Sequence, residues 1–84
     1  MNSEQLSSLL KQRPFRPFRI HMQGGAFYDV RSHEMALILR NAVLVGVGVS
    51  DDEPDPIPDH HEWLYLPHVD SLEELPLELA LPRR

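Results

Sequence analysis

The chain has 84 residues, no cysteine and a formal net charge of −5. A chain of this length supports one domain and leaves no room for two lobes around a catalytic cleft. The lack of cysteine excludes disulfides, thiolate metal sites and thiol nucleophiles, and it fits a reducing compartment. No apolar run approaches the roughly 20 residues of a membrane span, and the first residues lack a signal-peptide pattern, so we expect a cytoplasmic protein.

Charge is unevenly distributed along the chain. Residues 1–42 contain six Lys/Arg and three Asp/Glu, whereas residues 43–84 contain two and ten. Two interpretations stay open: the acidic residues gather in one solvated loop, or opposite charges attract neighbouring molecules and favour self-association. The acidic surplus disfavours nucleic-acid binding as the main task, because proteins that grip a phosphate backbone usually carry a basic surplus.

The first predicted element is a short helix over residues 3–12. Its apolar side chains recur on one helical face, at Leu6, Leu9 and Leu10. Pro14 disfavours helical geometry at Arg13, which ends the helix just before it. Such a short helix is marginal alone, so we expect its leucines to cover one end of a barrel.

Strands are predicted over the rest of the chain, with approximate bounds 18–22, 26–31, 35–39, 42–49, 61–66 and 70–75. The first alternates apolar and polar residues from Phe18. Gly24-Gly25 then supplies the positive φ values of a tight hairpin turn. Residues 50–60 are rich in acids and prolines and are expected to form a mobile loop. A 3₁₀ turn at Pro67-His68 leads into the last strand.

These elements make one domain over residues 1–75, followed by a C-terminal tail over residues 76–84. The tail alternates leucines with other residues and contains two prolines before its final arginines. It is expected to add an edge strand, here or on a neighbouring chain, or to fray.

The stretch PFRPFRIHMQGGAFYDV, followed by SHEMALI and later by LYLPHVDSLEEL, carries a resemblance that covers most of residues 6–75. It resembles a family of small bacterial proteins with the pattern PFRPFxIxLxDGRxxxVxHPEMALV and a closing LxxIxxIE. This chain departs from the pattern with Gly24 where the family tends to have Asp, Ala26 for a basic residue, and Ser32 before His33. The family has no assigned activity, so the resemblance implies none.

The order of the elements also resembles Sm-like and Src-homology-3-like (SH3-like) small barrels. We therefore expect a mainly β fold, namely a small five- or six-stranded antiparallel Sm-like or SH3-like barrel with one short N-terminal α-helix. This second resemblance is architectural, and a fold of this kind does not imply a function.

A doubled Arg-Pro-Phe unit precedes the first strand. Lys11, Pro14 and Pro17 fit the basic-plus-PxxP pattern of peptides that SH3 domains bind. Ligands of that kind normally lie in accessible, disordered segments, whereas these prolines stand between a helix and a strand. A rigid connector is therefore the preferred interpretation.

Metal-ligating and catalytic residue types occur without a convincing arrangement. A possible metal set is Asp59, His60, His61, Glu62 and His68, but neighbouring residues of a strand point to opposite faces. The acids from Asp51 to Glu62 fit an EF-hand spacing except that Pro56 stands where a glycine is needed. Ser32-His33-Glu34 has triad residue types, but triads are assembled by geometry and not by adjacency. We expect no catalytic residue, no metal and no cofactor, and not an enzyme.

Two functional hypotheses remain. The first is a non-catalytic protein-interaction module that self-associates or binds a protein partner through a strand edge or the leucine-rich tail. The alternative is an Sm-like RNA-binding barrel, because basic and aromatic side chains together can hold single-stranded RNA. The candidate interaction patch consists of Arg13, Arg16, Arg19, His21 and Tyr28, and no membrane contact is expected.

Overall fold

The computed structural model describes residues 3–49 and 57–81. Within them, one helix, α1 (Ser3–Lys11), precedes six strands: β1 (Phe18–Met22), β2 (Phe27–Val30), β3 (Ala36–Ile38), β4 (Ala42–Val47), β5 (His60–Tyr65) and β6 (Val69–Glu74). Single turns of 3₁₀ helix lie at His33–Met35, Leu66–His68 and Leu77–Leu79. The small, mainly β fold with one short helix is confirmed. The predicted acidic loop falls mostly on residues 50–56, outside the described residues.

The strands form two antiparallel sheets of three strands each. Sheet A has the order β2-β1-β6, and sheet B has the order β3-β4-β5. The pairings among the described strands do not form the continuous ring of a closed barrel. Between β2 and β3, Ser32 caps the 3₁₀ turn by accepting a hydrogen bond from the Glu34 N–H (3.4 Å). That turn interrupts the strand and redirects the chain from sheet A into sheet B.

The hairpin of β1 and β2 has the predicted glycine turn. Gly24 and Gly25 have φ values of 94° and 101°, a backbone conformation that residues other than glycine rarely adopt. The Gly25 N–H donates to the Met22 carbonyl (3.1 Å), and the Met22 N–H donates to the Ala26 carbonyl (2.8 Å). The turn thereby fixes the register that places Ile20 opposite Tyr28.

The connector before β1 is part of the packed structure. Pro17 and Phe18 are fully buried, and the half-buried Phe15 ring lies 6.2 Å from the Phe18 ring. The Leu75 N–H donates to the Pro17 carbonyl (2.9 Å), which ties the connector to the end of β6. The peptide bond between Arg13 and Pro14 is cis.

One hydrophobic core joins the helix to both sheets. Its buried members are Leu6 from α1, Phe18, Ile20, Val30 and Val69 from sheet A, Val43, Val45 and Leu64 from sheet B, and Leu66. Leu9 and Leu10 pack against this cluster and are partly buried, as the helical pattern predicts. No charged or polar side chain is buried among the described residues. None of the described helices is long and apolar enough to cross a membrane.

Residues 76–81 lie against the end of β2. Arg31 Nε donates to the Leu79 carbonyl (2.7 Å), and the Leu81 N–H donates to the Arg31 carbonyl (2.8 Å). Leu81 is only 5 % exposed. Within this chain, the described part of the tail forms a 3₁₀ turn and no strand, and its last leucine packs against the domain.

Candidate functional site

The outer face of sheet A carries two residues of the predicted patch, Arg19 and His21, on β1. Arg19 makes a two-pronged ion pair with Asp29, with its Nε 2.6 Å from Oδ1 and its Nη2 3.1 Å from Oδ2. Its guanidinium carbon also lies 4.2 Å from the centre of the Phe27 ring, a cation–π contact. The hydrogen bond to the Asp29 carboxylate raises the pKa of Arg19 above its usual value. His21 Nε2 lies 2.8 Å from Glu73 Oε1 on β6.

The other members of the predicted patch lie elsewhere. Arg13 donates to the carbonyls of Leu10 (2.9 Å) and Gln12 (2.8 Å), where it closes the C-terminal end of α1. Arg16 Nε donates to the Leu75 carbonyl (3.1 Å). Tyr28 stands opposite the buried Ile20 and packs against the core, so it lies on the inner face of sheet A. The structure thus brings Arg19 and His21 together and separates them from Tyr28.

The outer face of sheet B has a different character. The register pairs Leu37 with Leu44 and Leu44 with Trp63, so these side chains form one row across all three strands. Leu37 is 58 % exposed and Trp63 is 61 % exposed. Tyr65 stands two residues along β5 on the same face and is 45 % exposed. We call Leu37, Leu44, Trp63 and Tyr65 the apolar face.

Formal charge is absent from the outward positions of sheet B. Alternation and register assign to this side Leu37 of β3, Leu44 and Gly46 of β4, and His61, Trp63 and Tyr65 of β5, together with Ala42, which is buried. The corresponding side of sheet A carries Arg19, Asp29 and Glu73. Charged side chains keep a sheet face hydrated, so the two faces are chemically opposite.

A shallow groove of about 250 Å³ borders the apolar face. Leu37 and Leu44 form one wall, and Met35, Pro58 and His61 form the rest with Glu34 at the rim. Gly46 is needed at its floor, because a Cβ there would stand 2.8 Å from Pro58 Cγ. The absence of a side chain at Gly46 lets the segment before β5 lie directly on β4.

A larger groove of about 590 Å³ separates α1 from β6. Its lining is mixed, with Leu9 and Leu72 among the polar residues Gln5, Ser8, Asp70 and Ser71. It therefore lacks the contiguous apolar surface that distinguishes sheet B.

The histidines that suggested a metal site are not gathered around one point. His60 stands opposite Val47 and His61 opposite Gly46, so their side chains point to opposite faces of β5. His60 Nε2 lies 3.6 Å from Glu62 Oε1, and the His68 ring packs edge-on against Tyr65 at 5.2 Å. Across residues 3–49 and 57–81, no group of three potential metal ligands is close enough to hold an ion.

Ser32, His33 and Glu34 are occupied by local contacts. The Ser32 hydroxyl caps the 3₁₀ turn, and His33 Nε2 lies 4.0 Å from Glu34 Oε1. The His33 ring packs 6.3 Å from the Phe15 ring. These contacts shape the turn between the sheets.

The apolar face was missed by reasoning from the sequence, although a signal was present. Residues 35–39 and 42–45 are runs of consecutive apolar residues. A strand with such a run has apolar side chains on both faces, and one small core covers only one of them. The chain gives no match to protein-family models, to curated proteins or to solved structures.

Proposed function

We propose that this chain is a non-catalytic, cytoplasmic protein-interaction module and that the apolar face is its contact surface. The observation that carries the proposal is the row of Leu37, Leu44 and Trp63, two of which are more than half exposed. Contiguous exposed apolar patches of roughly 300–600 Å² on small proteins are often functional. Tryptophan and tyrosine are also enriched among the residues that contribute most to binding energy.

For the fold, we propose the Sm-like or SH3-like small barrel and membership of the bacterial family with the PFRPF pattern. Three features support the barrel: β1 is central in sheet A, β4 is central in sheet B, and a 3₁₀ turn at Leu66–His68 joins β5 to β6. The buried Pro17 and Phe18 give the PFRPF unit a structural role that any relative would need.

The alternative, an Sm-like RNA-binding barrel that uses Arg13, Arg16 and Arg19, has less support. Arg13 and Arg16 donate to main-chain carbonyls, and Arg19 is bound to a carboxylate. An RNA phosphate would have to displace these partners, and the remaining charge of the chain would repel it.

The proposed contact surface is tested by a matched pair of charge substitutions. Leu37→Glu places a charge in the apolar face, whereas Leu77→Glu changes a leucine of similar exposure (54 %) on a different element. Both variants and the unmodified chain serve as bait in affinity capture from a lysate of the source cell, with quantitative mass spectrometry. We expect proteins recovered by the unmodified chain and by Leu77→Glu to be lost with Leu37→Glu.

Equal recovery by all three baits would place the contact surface elsewhere. Recovery of no specific protein by the unmodified chain, together with a monomer in light scattering, would reject the interaction module itself. Circular dichroism of each variant shows whether the substitution leaves the fold intact.

A further inference from the structure

β5 is the open edge of sheet B. It pairs with β4 on one side, and no described strand pairs with its other side. An antiparallel ladder alternates, so every second residue turns its main-chain N–H and C=O away from the neighbouring strand. The phase of this alternation decides which residues of β5 present hydrogen-bonding groups to an incoming chain.

Two hydrogen bonds fix that phase. The Leu66 N–H donates to the Asn41 carbonyl (2.8 Å) in the register of β4 and β5. The Leu39 N–H donates to the Ala42 carbonyl (2.8 Å) on the other side of β4, which agrees with the same phase. Leu64 and Glu62 therefore bond to β4, and the main-chain groups of His61, Trp63 and Tyr65 face the open edge.

Trp63 and Tyr65 thus belong both to the open edge and to the apolar face. A strand that bonds to Trp63 and Tyr65 places the side chains directly opposite them on the same side of the sheet. Those side chains would cover the exposed rings of Trp63 and Tyr65. Glu62 lies between them in sequence and points to the other side of β5.

We propose that the open edge of β5 binds an extended peptide segment of another protein, with apolar side chains at alternate positions and a Lys or Arg opposite Glu62. The proposal rests on the proposed function and names its kind of partner. Strand addition obtains affinity from main-chain hydrogen bonds and specificity from alternate side chains.

Area favours a peptide over a globular partner or a second copy. From their exposed fractions, Leu37, Trp63 and Tyr65 offer on the order of 400 Å². Each partner of a stable globular complex buries roughly 800 Å². A strand that bonds along β5 supplies the missing interaction through its backbone.

Charge selects a basic peptide. The Glu62 side chain is 44 % exposed, and its described ion-pair neighbour is His60, at 3.6 Å. Glu34 stands at the rim of the groove, and no Lys or Arg occurs on β5 or in the groove lining. The formal net charge of −5 adds repulsion between two copies and attraction for a basic segment.

The test uses a panel of synthetic peptides and the emission of Trp63, the single tryptophan of the chain. Panel members alternate an apolar residue (Val, Ile, Phe or Tyr) with Lys. One control peptide replaces Lys by Glu, and another carries N-methyl groups on the bonding edge. We expect a saturable shift of Trp63 emission to shorter wavelength with a Kd of about 10–100 µM, and at least about tenfold weaker binding of both controls.

A charge reversal sharpens the test. The Glu62→Lys variant is expected to bind the Glu peptide more tightly than the Lys peptide. Nonspecific hydrophobic binding would not reverse the preference in this way. The proposal is overturned if no panel member shifts the emission up to about 1 mM, or if N-methylated peptides bind equally. Emission that shifts with protein concentration alone would identify a second copy as the occupant. If captured proteins depend on Leu37 while the whole panel fails, the proposed function stands and the strand-addition inference falls.

Discussion

Three basic side chains of the first half of the chain contact the second half. His21 pairs with Glu73, and Arg16 and Arg31 donate to main-chain carbonyls of Leu75 and Leu79. Arg19 also lies close enough to Glu73 for their attraction to contribute to the raised pKa of Arg19, which offsets part of the charge imbalance along the sequence. Because these contacts join segments about 50–60 residues apart, their first effect is on the fold.

We expect Arg19→Ala to lower the thermal unfolding midpoint, because Asp29 loses its two-pronged partner and Phe27 loses its cation–π contact. Arg19→Lys should restore only part of the loss, since an ammonium group cannot make both bonds to the carboxylate. Arg40→Ala, at an exposed arginine in the turn before β4, is the control. Thermal melts followed by circular dichroism measure all three.

The pH dependence follows from the raised pKa of Arg19. A cation whose pKa is higher in the folded state stabilises the fold at every pH below its unfolded value and loses that effect as pH rises through the folded value. Protonated Arg19 therefore contributes a constant amount to the stability of the fold across the neutral pH range.

An unchanged unfolding midpoint in Arg19→Ala, together with loss of salt-sensitive binding to single-stranded RNA, would favour the RNA alternative instead.

At the scale of elements, the segment after β6 shows how one buried side chain can hold a short piece of chain. Residues 76–81 contain a single 3₁₀ turn, Leu77–Leu79, which is too short to be stable alone. Two hydrogen bonds with Arg31 and the burial of Leu81 hold the turn in place. The leucines in this segment therefore differ in importance although they look alike in sequence.

Leu81→Ala should lower the free energy of unfolding by about 2 kcal/mol, because replacing a nearly inaccessible leucine with alanine leaves its apolar site partly empty. Leu77→Ala, at a residue 54 % exposed, should change it by less than about 0.5 kcal/mol. Urea denaturation followed by circular dichroism gives both values. Equal, small effects at the two positions would mean that the segment does not pack in solution.

The sequence predicted the strands and turns that are determined by residues close together in the chain. Alternation from Phe18 identified β1 and its buried face, and Gly24-Gly25 identified the hairpin turn. The 3₁₀ turn at Pro67-His68 was also anticipated, because proline favours the first turn of such a helix. β4 ends at Val47, before the predicted limit, because Gly48 adopts a φ of 78° that leaves the strand.

Features that depend on distant partners could not be predicted. Which side of sheet B faces solvent depends on where α1 and sheet A pack, and the apolar runs of β3 and β4 look alike on both sides. The partners of Arg16 and Arg19 depend on the pairing of β1 with β2 and β6. Whether Tyr28 points inward or outward depends on the register of β1 and β2, which the sequence alone does not determine.

At the scale of the whole molecule, α1 completes the core. Leu6 is fully buried in the cluster that contains residues from both sheets. Because no charged or polar side chain is buried among the described residues, the side chains that join the sheets to each other and to the helix do so by apolar packing. A core shared in this way predicts that the two sheets unfold together.

Leu6→Ala should therefore reduce the free energy of unfolding by about 3 kcal/mol, a large share of the roughly 5–15 kcal/mol of a small domain. The loss should appear equally in the amide hydrogen exchange of β1 and of β4. Leu9→Ala, at a partly buried position on the same helix, is the control and should cost less. Loss of protection in one sheet alone would show that the sheets are separate cooperative units.

The position of β1 between β2 and β6 has a consequence for synthesis of the chain. β1 is the first and β6 the last of the described strands, and His21 precedes its partner Glu73 by 52 residues. At roughly 5–20 residues per second a ribosome needs several seconds for that interval, whereas a hairpin forms in about 1–10 µs. The edge of β1 that β6 covers therefore has no partner during that interval, whereas the three strands of sheet B are all present once the chain reaches Tyr65, before β6 begins at Val69.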